Sequence, residues 1–271
     1  MKLTVDPLQT DSPDRSGEGA GATWLGSGDH WTHSGRYGCC GVLNGTDEYA
    51  FTGLQLGGAA AKTIAAWVKF DSLTTSGYIL GAWGGGENAL KLMTASTSAD
   101  ELTVCLANSA ADNCNNYAAT TEADLSANKW YHIQVIYDGA AGENTDKVKL
   151  LVNGQTEDLG FTGTIPASLP QAGSYLKLGG NNDTGEYLDG YLDEVRVFDR
   201  AINNREAGML FNEGKAAVEW HFRNNLNDSG SLCRAEPGHC QDLAATGDYT
   251  FTTGYQEDGT TAADLGGSTY Y

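Results

Sequence analysis

Three sets of side chains in this sequence carry chemistry that has to be accounted for: one strand carboxylate, the cysteines and a group of aromatic residues. Asp193 lies within Tyr191-Leu192-Asp193-Glu194-Val195-Arg196-Val197-Phe198. Strand alternation puts Tyr191, Asp193, Val195 and Val197 on one face, and Leu192, Glu194, Arg196 and Phe198 on the other. Sharing a face with two valines, Asp193 is expected to point inward, where a carboxylate must be hydrogen-bonded or bound to a cation. Of the six cysteines, Cys105 and Cys114 flank a turn sequence, as do Cys233 and Cys240. Two such local pairs predict two disulfides and an oxidising compartment. Cys39 and Cys40 are adjacent, which leaves a vicinal disulfide, two buried thiols or a bond to another chain as options. No Cys-x-x-Cys occurs and the histidines are scattered, so zinc chemistry is not indicated. Trp24, Trp31, Tyr37 and Trp83 offer apolar ring faces on which sugars stack, or they fill the core. His132, two residues after Trp130 in a strand-like run, reads as structural.

The elements that must position these residues are mostly strands. Residues 63–70 alternate, with Ile64, Ala66, Val68 and Phe70 on one side. Residues 78–83, 89–93, 102–107, 130–138, 147–152 and 174–178 read the same way. Asn153-Gly154 is a strong hairpin signal. The Gly- and Ser-rich opening, through Trp24, His30, Trp31, His33 and Tyr37, reads as a short strand followed by loops. One helix is expected near residues 203–213: Asn203 or Asn204 caps it, Ala207, Leu210 and Phe211 give its apolar side, and Gly214 ends it. Short strands punctuated by turns, with one late helix, mean an all-β fold, an antiparallel β-sandwich.

Several motifs sharpen that expectation. They are Leu192-Asp193-Glu194-Val195-Arg196-Val197-Phe198 followed by Arg200-Ala201 and the short helix, Trp130-x-His132-x-x-Val135-x-Tyr137-Asp138-Gly139, and Val148-x-Leu150-x-Val152-Asn153-Gly154. This order resembles the laminin G-like, concanavalin A-type jelly rolls over about residues 8–214. The resemblance implies an extracellular binding or adhesion module for glycans. It implies a structural calcium ion near Asp193 and the opening turn that holds Asp14, consistent with the preference of calcium for oxygen ligands. It also implies ligand contacts from Asn181, Asn182 and Asp183 in the loop before the last strand. Glucanases of this fold carry alternating carboxylates on one strand. Here Glu122-Ala123-Asp124 runs on to Ala127 where the second carboxylate is needed, so no catalysis is expected.

Composition sets further bounds. The chain has 271 residues and a formal charge of −19, which disfavours nucleic acids and anionic membranes. No stretch is apolar enough for a membrane span, and the polar first six residues are too short for a signal peptide. Residues 1–214 make one domain in this reading. Residues 215–271 repeat the opening segment in order: Trp220-His221-Phe222, then Asn227-Asp228-Ser229-Gly230, then Gly247-Asp248-Tyr249. The rival to a glycan or surface-protein binder is therefore a structural subunit of a surface array or filament, self-assembled by strand exchange through residues 216–271.

Overall fold

A computed structural model describes residues 3–4, 11–12, 16, 18–171, 173–213, 250–253 and 261–264. In chain order the strands are β1 (Leu3–Thr4), β2 (Asp11–Ser12), β3 (Ala22–Leu25), β4 (Trp31–Gly35), β5 (Gly38–Asn44), β6 (Tyr49–Gln55) and β7 (Ala61–Phe70). Then come β8 (Tyr78–Ala82), β9 (Leu90–Thr94), β10 (Leu102–Leu106), β11 (Tyr117–Thr120) and β12 (Trp130–Asp138). A one-turn helix, α1 (Asn144–Lys147), leads into β13 (Val148–Val152), β14 (Gln155–Thr156), β15 (Leu159–Thr162), β16 (Tyr175–Leu178), β17 (Gly180–Asn181), β18 (Glu186–Tyr187) and β19 (Asp189–Phe198). Helix α2 (Asn204–Asn212) follows, and the tail holds β20 (Thr250–Thr253) and β21 (Thr261–Asp264).

The strands form an eight-stranded sheet, ordered β14-β13-β12-β7-β19-β5-β4 with β1 also on β19, and a nine-stranded sheet, ordered β15-β11-β10-β9-β8-β16-β6-β3-β2. Every pairing is antiparallel, as alternating patterns and short turns require. The inward faces meet in one core: Ile64, Val68 and Phe70 of β7, Ile133 and Val135 of β12 and Val197 of β19 from one sheet, Leu90, Leu92, Val104 and Leu176 from the other. Asn153 and Gly154 both take positive φ, +52° and +81°, giving the tight turn that joins β13 to β14.

Trp24 and Trp31 sit in strands rather than loops. The many glycines around them allow paired strands as readily as loops. Trp24 is buried against Gly41, where an added Cβ would come within 2.1 Å of the indole. By contact density, the chain divides after Phe211 into a main unit and a tail unit. In the tail, β20 and β21 form a hairpin. The expected strand at 217–222, the repeat of the opening segment, and Cys233 and Cys240 lie outside the described residues.

The expectation for Asp193 needs correcting. Pairing between β19 and β7 runs Asp193↔Trp67 and then jumps to Arg196↔Ala65. Glu194 takes φ +50° there. One extra residue has entered β19 as a bulge, and the alternation changes phase across it. Leu192 before the bulge and Val195 and Val197 after it face the core. Asp193 therefore shares a face with Tyr191 and lies on the outside of the eight-stranded sheet, beside Trp67.

Candidate functional site

Strand alternation divides the nine-stranded sheet between core and outside. Leu176 and Leu178 of β16 go inward, so Tyr175 and Lys177 go outward. Ala50 and Thr52 of β6 are buried, so Tyr49 and Phe51 go outward. On β9, Leu90 and Leu92 send Lys91 and Met93 the same way. One half of this outer face is covered. Tyr78, Trp83, Met93, Cys105 and Ala107 form a second buried cluster, with Cys114 and Tyr117 packed against it. The Cys105–Cys114 disulfide, with Cα atoms 5.1 Å apart, pins its loop here. Asp112 at the loop's centre accepts N–H groups from Asn108, Asn115 and Asn116, at 3.0, 2.8 and 2.7 Å. These bonds hold its carboxyl below the usual range against the opposing effect of burial.

The other half is open. The rings of Phe51 and Tyr175 lie 5.4 Å apart, centroid to centroid, and the two residues are 37% and 40% exposed. Leu25, paired with Tyr49, is also exposed. Between the halves run two ion pairs. Lys91 Nζ lies 3.2 Å from both oxygens of Glu186 and 5.3 Å from the centre of the Trp83 ring. Lys177 Nζ donates to Asp183 at 2.6 Å, to Asn181 at 3.0 Å and to the Trp83 carbonyl at 3.5 Å. Both lysines are buried while Asp183 stays accessible. Glu87 and Asp183 close against the backbone at Gly173 and Gly84, where a Cβ would fall within 2.2 Å of their carboxylate oxygens. The arrangement is an aromatic platform with a carboxylate rim.

The outer face of the eight-stranded sheet is closed instead. Trp67 lies 6.0 Å from Tyr37, 5.1 Å from His132 and 5.9 Å from Phe211 of α2, and the Arg36 guanidinium sits 4.6 Å over its ring. Gln134 links His132 to the Ala207 carbonyl of α2, so His132 is structural. Asp193, 4% exposed, accepts the N–H of Tyr37 at 3.0 Å and of Glu194 at 2.8 Å. Burial still raises its carboxyl above the usual range. The backbone of Arg36 also donates to it, so the described hydrogen bonds to its oxygens come from N–H groups, and Asp14 lies outside the described residues. Among the described residues no group of three or more His, Cys, Asp or Glu is placed to hold a metal ion.

The sequence candidates therefore separate. Trp83, Asn181 and Asp183 come together at Lys177, with Asn182 exposed in the same hairpin. Trp83 is only 2% exposed and its ring lies under Lys91, so it supports the face from below. Tyr37 belongs to the closed face. Trp31 is exposed on β4, the edge of the eight-stranded sheet, edge-on to His33 at 5.0 Å. Cys39 and Cys40 are both thiols; Cys39 Sγ is 3.0 Å from His33 Nδ1, and burial pushes the Cys40 thiol up to about 12. Phe51, Tyr175, Lys91, Lys177 and Glu186 were absent from the candidates. A signal for two of them exists: Tyr175 and Lys177 alternate with two leucines.

A family model described as concanavalin A-like lectin/glucanases superfamily matches residues 43–208. No curated protein matches the sequence. Among solved structures, domain 4 of AbnA, an extracellular arabinanase from Geobacillus stearothermophilus in complex with arabinotriose, is 19% identical with a TM-score of 0.59, over 77% of this chain and 97% of that one. The receptor binding domain of botulinum neurotoxin C/D mosaic serotype is 13% identical with a TM-score of 0.56, over 78% of this chain and 51% of that one. A botulinum neurotoxin type C structure, whose cell entry depends on two ganglioside molecules, is 13% identical with a TM-score of 0.54, over 80% and 52%. This chain thus spans about half the length of the toxin chains it resembles. At these identities the likeness is one of fold.

Proposed function

The chain belongs to the concanavalin A-like lectin/glucanase superfamily, and from that premise we propose that it is a non-catalytic module that binds carbohydrate outside the cell. The carrying observation is the open pair Phe51–Tyr175 on the uncovered half of this face. Two neighbouring rings left more than a third exposed give a pyranose or furanose an apolar surface to stack on. The polar groups around them give its hydroxyls hydrogen-bond partners. The structural neighbour in complex with arabinotriose supports the reading. The Cys105–Cys114 disulfide supports an oxidising location. No helix among the described residues is long and apolar enough to cross a membrane. Asp183 and Glu186, the carboxylates beside the platform, are tied to ammonium groups, which suits a binding face better than proton transfer.

Titration calorimetry with neutral oligosaccharides tests this. Phe51→Ala and Tyr175→Ala are each expected to weaken binding by roughly thirtyfold, about 2 kcal/mol for a stacking anchor. Unchanged affinity in both variants, with melting temperatures intact, places the site elsewhere.

A further inference from the structure

We infer that this open face selects uncharged glycans and rejects those bearing carboxylate, sulfate or sialic acid groups. The inference rests on the carbohydrate reading above and adds the ligand's charge class. Anionic sugars are held by cations with donors to spare, and an ammonium has three N–H donors. Among the described residues, the nine strands of this sheet contribute only two cationic side chains, Lys91 and Lys177. Both are committed within the protein. Lys177 places its three on Asp183, Asn181 and the Trp83 carbonyl. Lys91 meets both Glu186 oxygens and the Trp83 ring. Both lysines are buried, so a ligand on the Phe51–Tyr175 platform does not reach their tips.

What such a ligand does meet is negative. Glu87 is exposed beside Gly173, two residues before Tyr175. Asp183 is exposed at Gly84 and lies close enough to Tyr49 to help raise its hydroxyl above the ordinary value, although burial does most of that. Three carboxylates, Glu87, Asp183 and Glu186, thus face two committed ammonium groups on a chain of formal charge −19. A ligand anion placed here gains no direct cation contact and is repelled by the rim.

The test is a glycan array that prints each neutral backbone beside its uronated, sulfated or sialylated counterpart, read at about 0.05 M and about 0.5 M salt. The expected result is binding to neutral members, with anionic counterparts at least about fivefold weaker at low salt and the gap narrowing at high salt. Glu87→Gln is expected to raise binding of the anionic counterparts by about twofold. Equal or tighter binding of anionic members overturns the charge selection and leaves the carbohydrate reading standing. Binding to no glycan at all, by protein with a normal melting transition, overturns both.

Discussion

On the outside of the eight-stranded sheet, Trp67 is ringed by Tyr37, His132 and Phe211 and covered by Arg36. On the outside of the nine-stranded sheet, Phe51 and Tyr175 touch each other and stay more than a third exposed. Both faces combine aromatic rings with paired charges, so composition does not separate them. What separates them is cover. The first face is closed by the β4–β5 hairpin, which brings Arg36 and Tyr37, and by α2, which brings Phe211. The second is half closed, by a loop tied down with a disulfide. Rings under the chain's own segments stabilise the fold, while rings left open are available to a ligand.

The comparison breaks if truncation has the same effect on both faces. Trp67→Ala should cost about 3–5 kcal/mol in denaturant unfolding, the usual penalty for emptying a buried aromatic site. Its effect on carbohydrate affinity should be small in the fraction that stays folded. Replacing Cys105 and Cys114 with Ser should cost about 2–3 kcal/mol, since a short loop in the unfolded chain is then freed. A loss that small leaves the open platform in place, so affinity should outlast the drop in melting temperature. Phe51→Ala should cost under about 1 kcal/mol in stability, because much of its ring is already in water, while weakening carbohydrate binding roughly thirtyfold. A Phe51→Ala variant that unfolds more readily than Trp67→Ala would reverse the assignment of the two faces.

The smallest effect sharpens the comparison at the closing helix. Asn203 and Glu206 exchange side-chain and backbone hydrogen bonds at the start of α2, and Arg200 holds Glu206 with two more, at 2.9 and 2.6 Å. Arg200 and the Asn203 N–H lower the Glu206 carboxyl to about 2. A lowered carboxyl adds stability that is fully present above its ordinary value near 4.5 and is lost as pH falls towards about 2. Glu206→Gln should flatten that part of the pH–melting curve and leave the curve unchanged in shape above it. An identical acid slope in wild type and variant would count against this cap.

Much of the fold was legible from alternation. Ile64, Val68 and Phe70 share a face because two-residue periodicity survives in β7, and Asn153-Gly154 turns as its type demands. Helix α2 begins at Asn204, where the asparagines announced a cap. The phase change at Glu194 was not legible: an acidic residue with positive φ leaves no pattern in a strand of alternating valines. That one residue is why Asp193 was expected to face inward. The site was half legible. Asn181 and Asp183 belong to the right hairpin, but their contact is with Lys177, a near neighbour in sequence whose outward direction was not read from the alternation of β16. Phe51 and Tyr175 passed unnoticed because aromatic residues in strands usually go to the core, and which of them lacks cover depends on segments far away in sequence.

The bulge at Glu194 also fixes how this strand tolerates editing. A sandwich strand keeps a two-beat rhythm, and the inserted residue is a dropped beat that the neighbouring strand does not share. Deleting Glu194 would remove the bulge and leave an unbroken alternation, with Leu192, Val195 and Val197 still facing the core and Asp193 and Arg196 still outside. Losing Glu194 together with Val195 would instead bring Arg196 into the core and turn Val197 outward. For recombination or grafting between relatives, the safe crossover points on β19 lie before Asp193 or after Phe198, with the irregular segment carried whole.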